Sequence, residues 1–254
     1  MKRIIGKLVR PLLNGLGIEV VRYRKYPENF IASQINIWES VRPYTMTSPE
    51  RVGVLIDAVR HLVINKVEGA MVECGVWRGG SSMAVALALK ELGAMDREVY
   101  LYDTFSGMSA PTGEDVSPFW GRASDIFSQK KTSDDSSDWC FSSLDEVRGN
   151  LSTTRYPSGR LHFVEGKVED TIPGSVPEKI ALLRLDTDWY ASTKHELKHL
   201  FPLMAENAIL IIDDYGCWEG ARKAVDEYIQ ENQLCLFLVR IDSSAYVAVK
   251  SGQA

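Results

Sequence analysis

Short apolar runs alternate with longer amphipathic segments through most of this chain, and this alternation limits the folds open to it more than any other feature. The runs are almost continuously apolar, which is typical of strands covered on both faces in a parallel sheet. Strands that alternate with helices in this way indicate a doubly wound α/β sheet. With 254 residues, the chain is long enough for one such domain. The predicted strands cover residues 70–73, 98–103, 161–164, 179–186 and 208–213.

Two further apolar runs, residues 234–239 and 245–249, are separated by a short polar turn. Parallel neighbours need a crossover of about a dozen residues, so these two runs should pair antiparallel. Upstream of the sheet, Ser48 and Pro49 predict the start of an amphipathic helix, because serine caps helices and proline suits their first position.

One stretch, residues 106–142, does not fit the alternation. It is rich in Ser, Asp, Gly and Pro and carries interspersed aromatic residues, which are Phe119, Trp120, Phe127, Trp139 and Phe141. A loop of this length inside a compact domain is either functional or disordered, and aromatic residues in a polar loop favour a lid or binding loop. We therefore expect a lid here, followed by a helix that starts at the capping box Ser143–Glu146.

Composition and charge narrow the classes of function. Apolar residues make up 45% of the chain and charged residues 25%, which is typical of a globular protein and excludes a disordered chain. The net charge of −5 gives no overall attraction to nucleic acid. No apolar run reaches the roughly 18–20 residues of a membrane-spanning helix. The four cysteines fit no zinc or CxxC motif, so we expect reduced thiols and a cytoplasmic location.

The N-terminal segment differs from the rest in charge. Residues 1–26 carry seven basic side chains against one acid, with apolar residues at helical spacing between them. Charges and Pro11 interrupt the apolar core that a secretory signal would need. Two hypotheses stay open: a helix that lies on an anionic membrane or a partner, and a solvated arm folded over the same chain. We assign residues 1–43 to a basic extension and 44–254 to the main domain.

The turn after the first predicted strand, residues 73–81, is rich in glycine and leads into a helix. Such a turn lets a ligand approach the backbone closely, and the start of the helix offers free N–H groups. The dinucleotide fingerprint GxGxxG is absent, because Trp77 stands at its second glycine position. Asp103 ends the next strand, where an acid can accept hydrogen bonds from the two hydroxyls of a ribose. Together these features favour a nucleoside site over a purely structural turn.

Four carboxylates follow the next two strands. Asp186 and Asp188 lie at the end of the first of these strands, and Asp213 and Asp214 lie at the end of the second. Open α/β sheets bind their ligands at this carboxyl edge. Like charges this close are costly unless they are protonated, paired or bound to metal. Oxygen ligands suit a hard divalent cation, Mg²⁺ first, then Mn²⁺ or Ca²⁺, although Asp188 and Asp214 could simply cap helices. No GxSxG or GxxxxGK[ST] motif supports a hydrolase or a P-loop protein.

Several segments, in the same order along the chain, resemble the macrocin O-methyltransferase family. The segments are residues 44–48 (YTMTS), 72–80 (VECGVWRGG), 101–105 (LYDTF), 183–190 (LRLDTDWY) and 211–216 (IIDDYG). The resemblance implies the class I S-adenosylmethionine-dependent methyltransferase fold, a doubly wound, mostly parallel sheet with an antiparallel C-terminal strand, here with an α-helical N-terminal extension and a lid. It also implies S-adenosylmethionine and Mg²⁺ as cofactors.

The resemblance assigns roles to matching positions. It implies Asp186, Asp213 and Asp214 as the Mg²⁺ ligands and Asp188 as the general base. The implied cofactor-binding residues are Tyr44, Thr45, Glu73, Gly75, Val76, Trp77, Ser81, Asp103, Thr104, Phe105, Gly107, Val168 and Glu169.

The expected reaction is Mg²⁺-dependent methyl transfer from S-adenosylmethionine to a hydroxyl of a sugar, on a small-molecule or glycan acceptor, by a homo-oligomer. Three alternatives remain at this stage. They are a catechol-type O-methyltransferase, a nicotinamide-dependent oxidoreductase, and a nucleotide-binding scaffold without activity.

Overall fold

The computed structural model describes residues 13, 15 and 25–251, in two units that cover residues 1–30 and 31–254. The predicted basic arm, residues 1–26, lies almost wholly outside the described residues. In the first unit, the Phe30 N–H donates to the Pro27 carbonyl at 3.2 Å. The second unit begins at Ile31 and so includes a helix upstream of position 44, while the functional boundary at 43/44 stays a prediction.

The second unit alternates strands and helices as the apolar runs predicted. Its strands are β1 (Ala70–Cys74), β2 (Val99–Asp103), β3 (Val116–Ser117), β4 (Gly121–Arg122), β5 (Lys131–Ser133), β6 (Ser136–Ser137), β7 (Leu161–Glu165), β8 (Ile180–Leu185), β9 (Met204–Ile212), β10 (Val239–Arg240) and β11 (Tyr246–Val249). Its α-helices are α1 (Ala32–Val41), α2 (Pro49–Ile64), α3 (Gly80–Glu91), α4 (Ala123–Lys130), α5 (Leu144–Thr153), α6 (Val168–Thr171), α7 (Tyr190–Leu200) and α8 (Glu219–Glu231). Short 3₁₀ helices cover Arg42–Tyr44, Ser158–Arg160 and Phe201–Leu203.

Within the described residues, seven strands form one sheet in the order β10-β11-β9-β8-β1-β2-β7. The five strands from β9 to β7 are parallel, and β11 pairs antiparallel with both of its neighbours. This confirms the class I methyltransferase topology that the resemblance implied. Cys74 lies opposite Leu185, and Leu185 lies opposite Ile212. The residues that follow β1, β8 and β9 therefore meet at one edge of the sheet.

Both faces of the sheet are covered by helices, which explains the continuous apolar runs. In β8, Leu182 packs into the core on the side of α2 and α3, while Leu183 packs on the side of α7 and α8. The two side chains are at most 1% exposed, as expected for neighbours on opposite faces of a doubly covered strand.

Helix α2 begins as the sequence predicted, because the Ser48 hydroxyl oxygen accepts a hydrogen bond from the Arg51 N–H at 3.2 Å. The predicted strand over 234–239 is shorter in the structure, since only Val239 and Arg240 pair with β11. The Leu234 N–H instead donates to the Ile229 carbonyl at 3.0 Å, which closes the end of α8 and delays the strand.

The segment 106–142, named the lid here, holds regular structure that its polar composition did not predict. It contains two hairpins, β3–β4 and β5–β6, and the helix α4 between them. Asp115 and Ser137 are buried within it, at 1% and 0% exposure. None of the helices in the described part of the chain has the length and apolar character needed to cross a bilayer.

Candidate active site

The turn after β1 is shaped by glycine. Gly75 has a φ of 83°, and a Cβ atom there would lie 2.0 Å from the Asp186 carbonyl oxygen. A larger residue would therefore push β1 and β8 apart at their carboxyl ends. This close approach places the predicted cofactor turn directly against the first of the predicted carboxylates.

Asp103 ties this turn to the end of β2. Its carboxylate accepts hydrogen bonds from the backbone N–H groups of Val76 at 2.6 Å, Trp77 at 3.0 Å and Phe105 at 2.8 Å. Burial raises the pKa of Asp103, while these N–H groups oppose the rise. The Thr104 hydroxyl donates a fourth, longer hydrogen bond to this carboxylate at 3.4 Å. A carboxylate has about four acceptor positions, so a ligand hydroxyl would have to share or displace one of these donors.

The predicted cofactor residues divide between a narrow cleft and a larger cavity. The cleft, of about 60 Å³, is lined by Gly75, Asp103, Thr104, Gly107, Val168 and Glu169 among others. The cavity, of about 780 Å³, is lined by Tyr44, Thr45, Glu73, Val76, Trp77 and Ser81 among others. Asp186 lines both, so the two spaces meet beside it. Phe105 is buried and contacts Asp103 through its backbone.

A buried arginine, Arg184 on β8, holds three carboxylates at the floor of the cavity. Its guanidinium lies 2.5 Å from Glu73, 2.7 Å from Asp186 and 2.7 Å from Asp213, and its side chain is 3% exposed. Arg51 binds the second oxygen of Asp213 and also contacts Asp242 at 2.7 Å. Both oxygens of Asp213 are therefore engaged by arginines.

A second group of carboxylates lies beside this network. One carboxylate oxygen from each of Asp186, Asp188 and Asp214 falls within 4.8 Å of the others. The Asp214 Oδ2 atom is buried and finds no hydrogen-bond partner among the described residues. Asp188 has a φ of 68°, a left-handed conformation that Asp tolerates better than most residues. The structure thus groups Asp188 with Asp186 and Asp214, and places Asp213 with the arginines.

Crowding and burial disfavour ionisation of these acids. Burial raises the pKa of Asp188 to about 7, Asp186 adds to the rise, and hydrogen bonds with Asp214 and Trp218 oppose it. Burial also raises the pKa values of Asp186 and Asp214 well above their usual range, and their carboxylate neighbours raise both further. A bound cation would favour the ionised forms, so the donor set and the partnerless oxygen fit a hard divalent metal.

Sequence reasoning missed three charged residues around the site. Arg51 and Arg184 are the counter-ions described above, and an arginine inside the apolar run 179–186 was the available signal for the second. Glu196 on α7 is fully buried and accepts a hydrogen bond from the Thr187 hydroxyl at 2.9 Å. Burial raises its pKa to about 8, and the hydrogen bonds from Thr187 and Cys74 oppose the rise.

Known proteins share this fold and sequence pattern. Demethyldecarbamoylnovobiocin O-methyltransferase of Streptomyces niveus is 31% identical over 199 residues, 78% of this chain and 72% of the relative. The tetracenomycin-C 4'-O-methyltransferase of Streptomyces olivaceus, named for a 2,3-dimethoxy-α-L-rhamnosyl substrate, is 32% identical over 191 residues, 75% of this chain and 69% of the relative.

The solved structure of the O-methyltransferase NovP superposes with a TM-score of 0.72 at 27% identity, covering 82% of this chain and 83% of that one. A family model described as macrocin-O-methyltransferase matches residues 33–249. The oxidoreductase and scaffold alternatives are therefore set aside, and the chain belongs to the macrocin-O-methyltransferase (TylF) family of O-methyltransferases.

Proposed function

We propose that this chain transfers a methyl group from S-adenosylmethionine to a sugar hydroxyl of a glycosylated acceptor, with Mg²⁺ bound at the strand-end carboxylates. The observation that carries the proposal is the group formed by Asp186, Asp188 and Asp214, with one buried oxygen lacking a partner, beside a cleft at the end of β2. The named substrates of the similar proteins, a rhamnosylated tetracenomycin among them, support a sugar as the methylated group.

The cofactor would span both spaces. The residues at the ends of β2 and β7 suit an adenosine, with Asp103 facing the ribose, and the turn after β1 suits the methionine part. A cleft of about 60 Å³ is smaller than a ligand of this size needs, so binding requires movement at its rim. Lys167 beside the cleft forms an ion pair with Asp135 of the lid. We expect this ion pair to break when the cofactor enters the cleft.

Two assignments of the metal ligands share Asp186 and Asp214. The family resemblance adds Asp213 and leaves Asp188 as the base, which is the assignment we propose. The apo geometry groups Asp188 with the other two instead, while arginines engage Asp213. Under the proposed assignment, Asp213 must exchange an arginine contact for the cation.

The chain's own residues then prepare the acceptor hydroxyl. A bound divalent cation would supply Lewis acidity that lowers the pKa of the hydroxyl. Asp188, whose ionised form a bound cation beside it would favour, is suited to accept the hydroxyl proton. The buried Arg184 network keeps the neighbouring carboxylates in place while charge moves, because three of them share one rigid guanidinium.

The metal proposal is tested by calorimetric titration of Mg²⁺ into chelator-treated protein that contains S-adenosylhomocysteine. We expect Asp214→Asn to weaken Mg²⁺ binding by about tenfold or more, and Asp134→Asn, at an exposed lid position, to leave it unchanged. Asp213→Asn should weaken binding as well, whereas Asp188→Asn should keep the metal and lose turnover. If Asp188→Asn weakened Mg²⁺ binding and Asp213→Asn did not, Asp188 would be the metal ligand and Asp213 would not. Full activity after chelation would refute metal dependence.

The acceptor class is tested by radiolabelled methyl transfer to paired acceptors, a rhamnoside and a catechol. Preferential methylation of the catechol would favour the catechol-type alternative, which uses the same metal chemistry. The homo-oligomer, the cytoplasmic location and the membrane contact of residues 1–26 remain predictions.

A further inference from the structure

Asp188, the proposed base, lies in a very tight turn of the backbone. The Trp189 N–H donates to the Thr187 carbonyl at 2.8 Å, so the turn spans three residues with Asp188 at its centre. A three-residue turn whose central φ is positive, here 68°, is the rarer and more strained form. Such a conformation persists only where the surrounding structure fixes it. The residues on both sides of Asp188 therefore need firm support.

Trp189 supplies the support on the C-terminal side. Its side chain is 2% exposed, and the indole N–H donates to the Ser109 carbonyl in the lid at 3.0 Å. The indole ring packs edge-to-face against Trp218, with 5.1 Å between the ring centroids. The Trp189 carbonyl accepts a hydrogen bond from the Ser192 hydroxyl of α7 at 3.1 Å. This side of the turn is therefore fixed through both the side chain and the backbone of Trp189.

A buried acid supports the N-terminal side. The Thr187 hydroxyl donates to Oε1 of Glu196 on α7 at 2.9 Å, and Glu196 is 0% exposed. The Oε2 atom of Glu196 is also buried and has no hydrogen-bond partner among the described residues. In the part of the chain that the structure describes, no cation pairs with this side chain. Burial of an acid without a cation costs stability, so its presence here indicates a role beyond packing.

Asp186, the proposed metal ligand before the turn, is held by different contacts. Its N–H donates to the Cys74 carbonyl at 2.8 Å, and its carboxylate pairs with Arg184 at 2.7 Å. Neither contact involves the side chain of Glu196. Loss of the hydrogen bond between Thr187 and Glu196 should therefore loosen the turn at Asp188 and leave Asp186 in place.

Building on the proposed function, we infer that Glu196 is a positioning residue, which acts through the Thr187 hydroxyl to hold the turn that presents Asp188 to the acceptor. Asp188 lines the large cavity, whereas Glu196 lines neither the cavity nor the cleft. Burial raises the pKa of Glu196 to about 8, so the side chain is neutral at pH 7. A glutamine, which is neutral and of the same shape, should therefore replace Glu196, and an alanine should not.

Hydrogen exchange tests the turn without any acceptor. Selective ¹⁵N labelling of the six tryptophans reports the Trp189 N–H, whose hydrogen bond closes the turn. At pH 7 we expect this N–H to exchange at least about tenfold faster in Thr187→Val and in Glu196→Ala than in the wild type. Thr187→Ser keeps the hydroxyl donor and Glu196→Gln keeps the acceptor, so both should exchange at nearly the wild-type rate.

Thr154→Val is the matched control for loss of a buried hydroxyl. Thr154 is 2% exposed, and its hydroxyl donates to the Leu151 carbonyl at 2.7 Å at the end of α5. This variant should lose stability and keep the wild-type exchange rate at Trp189. The control therefore separates a general loss of stability from a loosened turn.

Kinetics test the consequence for catalysis, with whichever of the rhamnoside and the catechol the wild type methylates. A displacement of about 1 Å can cost a hundredfold in rate, so we expect kcat to fall about tenfold to a hundredfold in Thr187→Val and in Glu196→Ala. The KM of the acceptor and the calorimetric affinity for Mg²⁺ should change by less than about twofold. The double variant should lose no more than the slower single variant, because both changes break one link.

Five results would overturn the inference. They are unchanged exchange at Trp189 in both disruptive variants, a wild-type kcat in Thr187→Val, losses that multiply in the double variant, an equal fall of kcat in Thr154→Val, and a change confined to Mg²⁺ affinity. Any of them obtained with an active wild type leaves the proposed function intact. A wild type that methylates neither acceptor would instead contradict the proposed function, and hydrogen exchange would still decide whether Glu196 holds the turn.

Discussion

Replacement of Arg184 by methionine tests whether the buried arginine holds the site together. Its guanidinium contacts Glu73, Asp186 and Asp213 at 2.5–2.7 Å, with 3% of its side chain exposed. Methionine fills a similar space, so the main effect is the loss of a positive charge among buried carboxylates. Removal of one partner from a buried ion pair costs about 3–5 kcal/mol, and we expect the free energy of unfolding to fall by that amount.

The loss should depend on pH in a defined direction. Burial raises the pKa values of Glu73 and Asp186 in the wild type, and Arg184 opposes this rise, so its loss lets the folded variant retain protons to a higher pH than the folded wild type does. The folded variant then binds more protons than the folded wild type, so its stability falls more steeply as the pH rises. The difference between wild type and variant should therefore be larger at pH 8 than at pH 5.

Urea unfolding of chelator-treated protein at both pH values measures this difference. Arg160→Met is the matched control, because Arg160 also pairs with a carboxylate, Glu98, but its side chain is 46% exposed. An exposed pair is screened by water, so the control should unfold almost as the wild type does. Equal losses in the two variants, or a loss for Arg184→Met that does not grow with pH, would refute the argument.

Two other changes address the cofactor cleft and the buried acid of α7. Asp103→Asn should weaken binding of S-adenosylhomocysteine by about 1–3 kcal/mol, because charge-assisted hydrogen bonds are lost, and calorimetry showing unchanged affinity would remove Asp103 from the site. Burial raises the pKa of Glu196 from its ordinary value of 4.5 to about 8, so the folded protein keeps a proton that the unfolded chain releases. The contribution of Glu196 to stability therefore falls as the pH rises between these two values. Glu196→Gln should therefore unfold at higher urea concentration than wild type at pH 8 and show a smaller difference at pH 5, and parallel pH profiles would contradict this assignment.

The positions of the strands, and whether neighbouring strands run parallel or antiparallel, could be predicted because the sequence signals are local. Each buried strand is a short apolar run, and the short turn between the last two runs, which left no room for a crossover, predicted the antiparallel pair. The end of β1 was predicted from Gly75, whose positive φ the structure requires. The convergence of Asp186, Asp188 and Asp214 followed from the rule that parallel strands end at one edge.

The counter-ions and the lid could not be predicted in the same way, because their partners are distant in sequence. Arg51 reaches Asp213 across 162 positions, and no local pattern encodes that choice. The composition of the lid predicts a polar loop, and the residue that holds its first hairpin in place, Asp115, is itself an acid. Its burial becomes favourable only when the Tyr190 N–H, 75 positions away, donates to it.

The two ends of the lid lie next to each other. A Cβ atom on Gly107 would lie 1.9 Å from the Ser137 carbonyl oxygen, and the Met108 N–H donates to the Trp139 carbonyl at 2.9 Å. The segment between them leaves the sheet and returns to the same point, while the carboxylates and all but one of the predicted cofactor contacts lie outside it. Such an excursion can be exchanged as a module by recombination or by grafting without altering strand register. Acceptor choice and methyl transfer can therefore evolve on separate stretches of the gene.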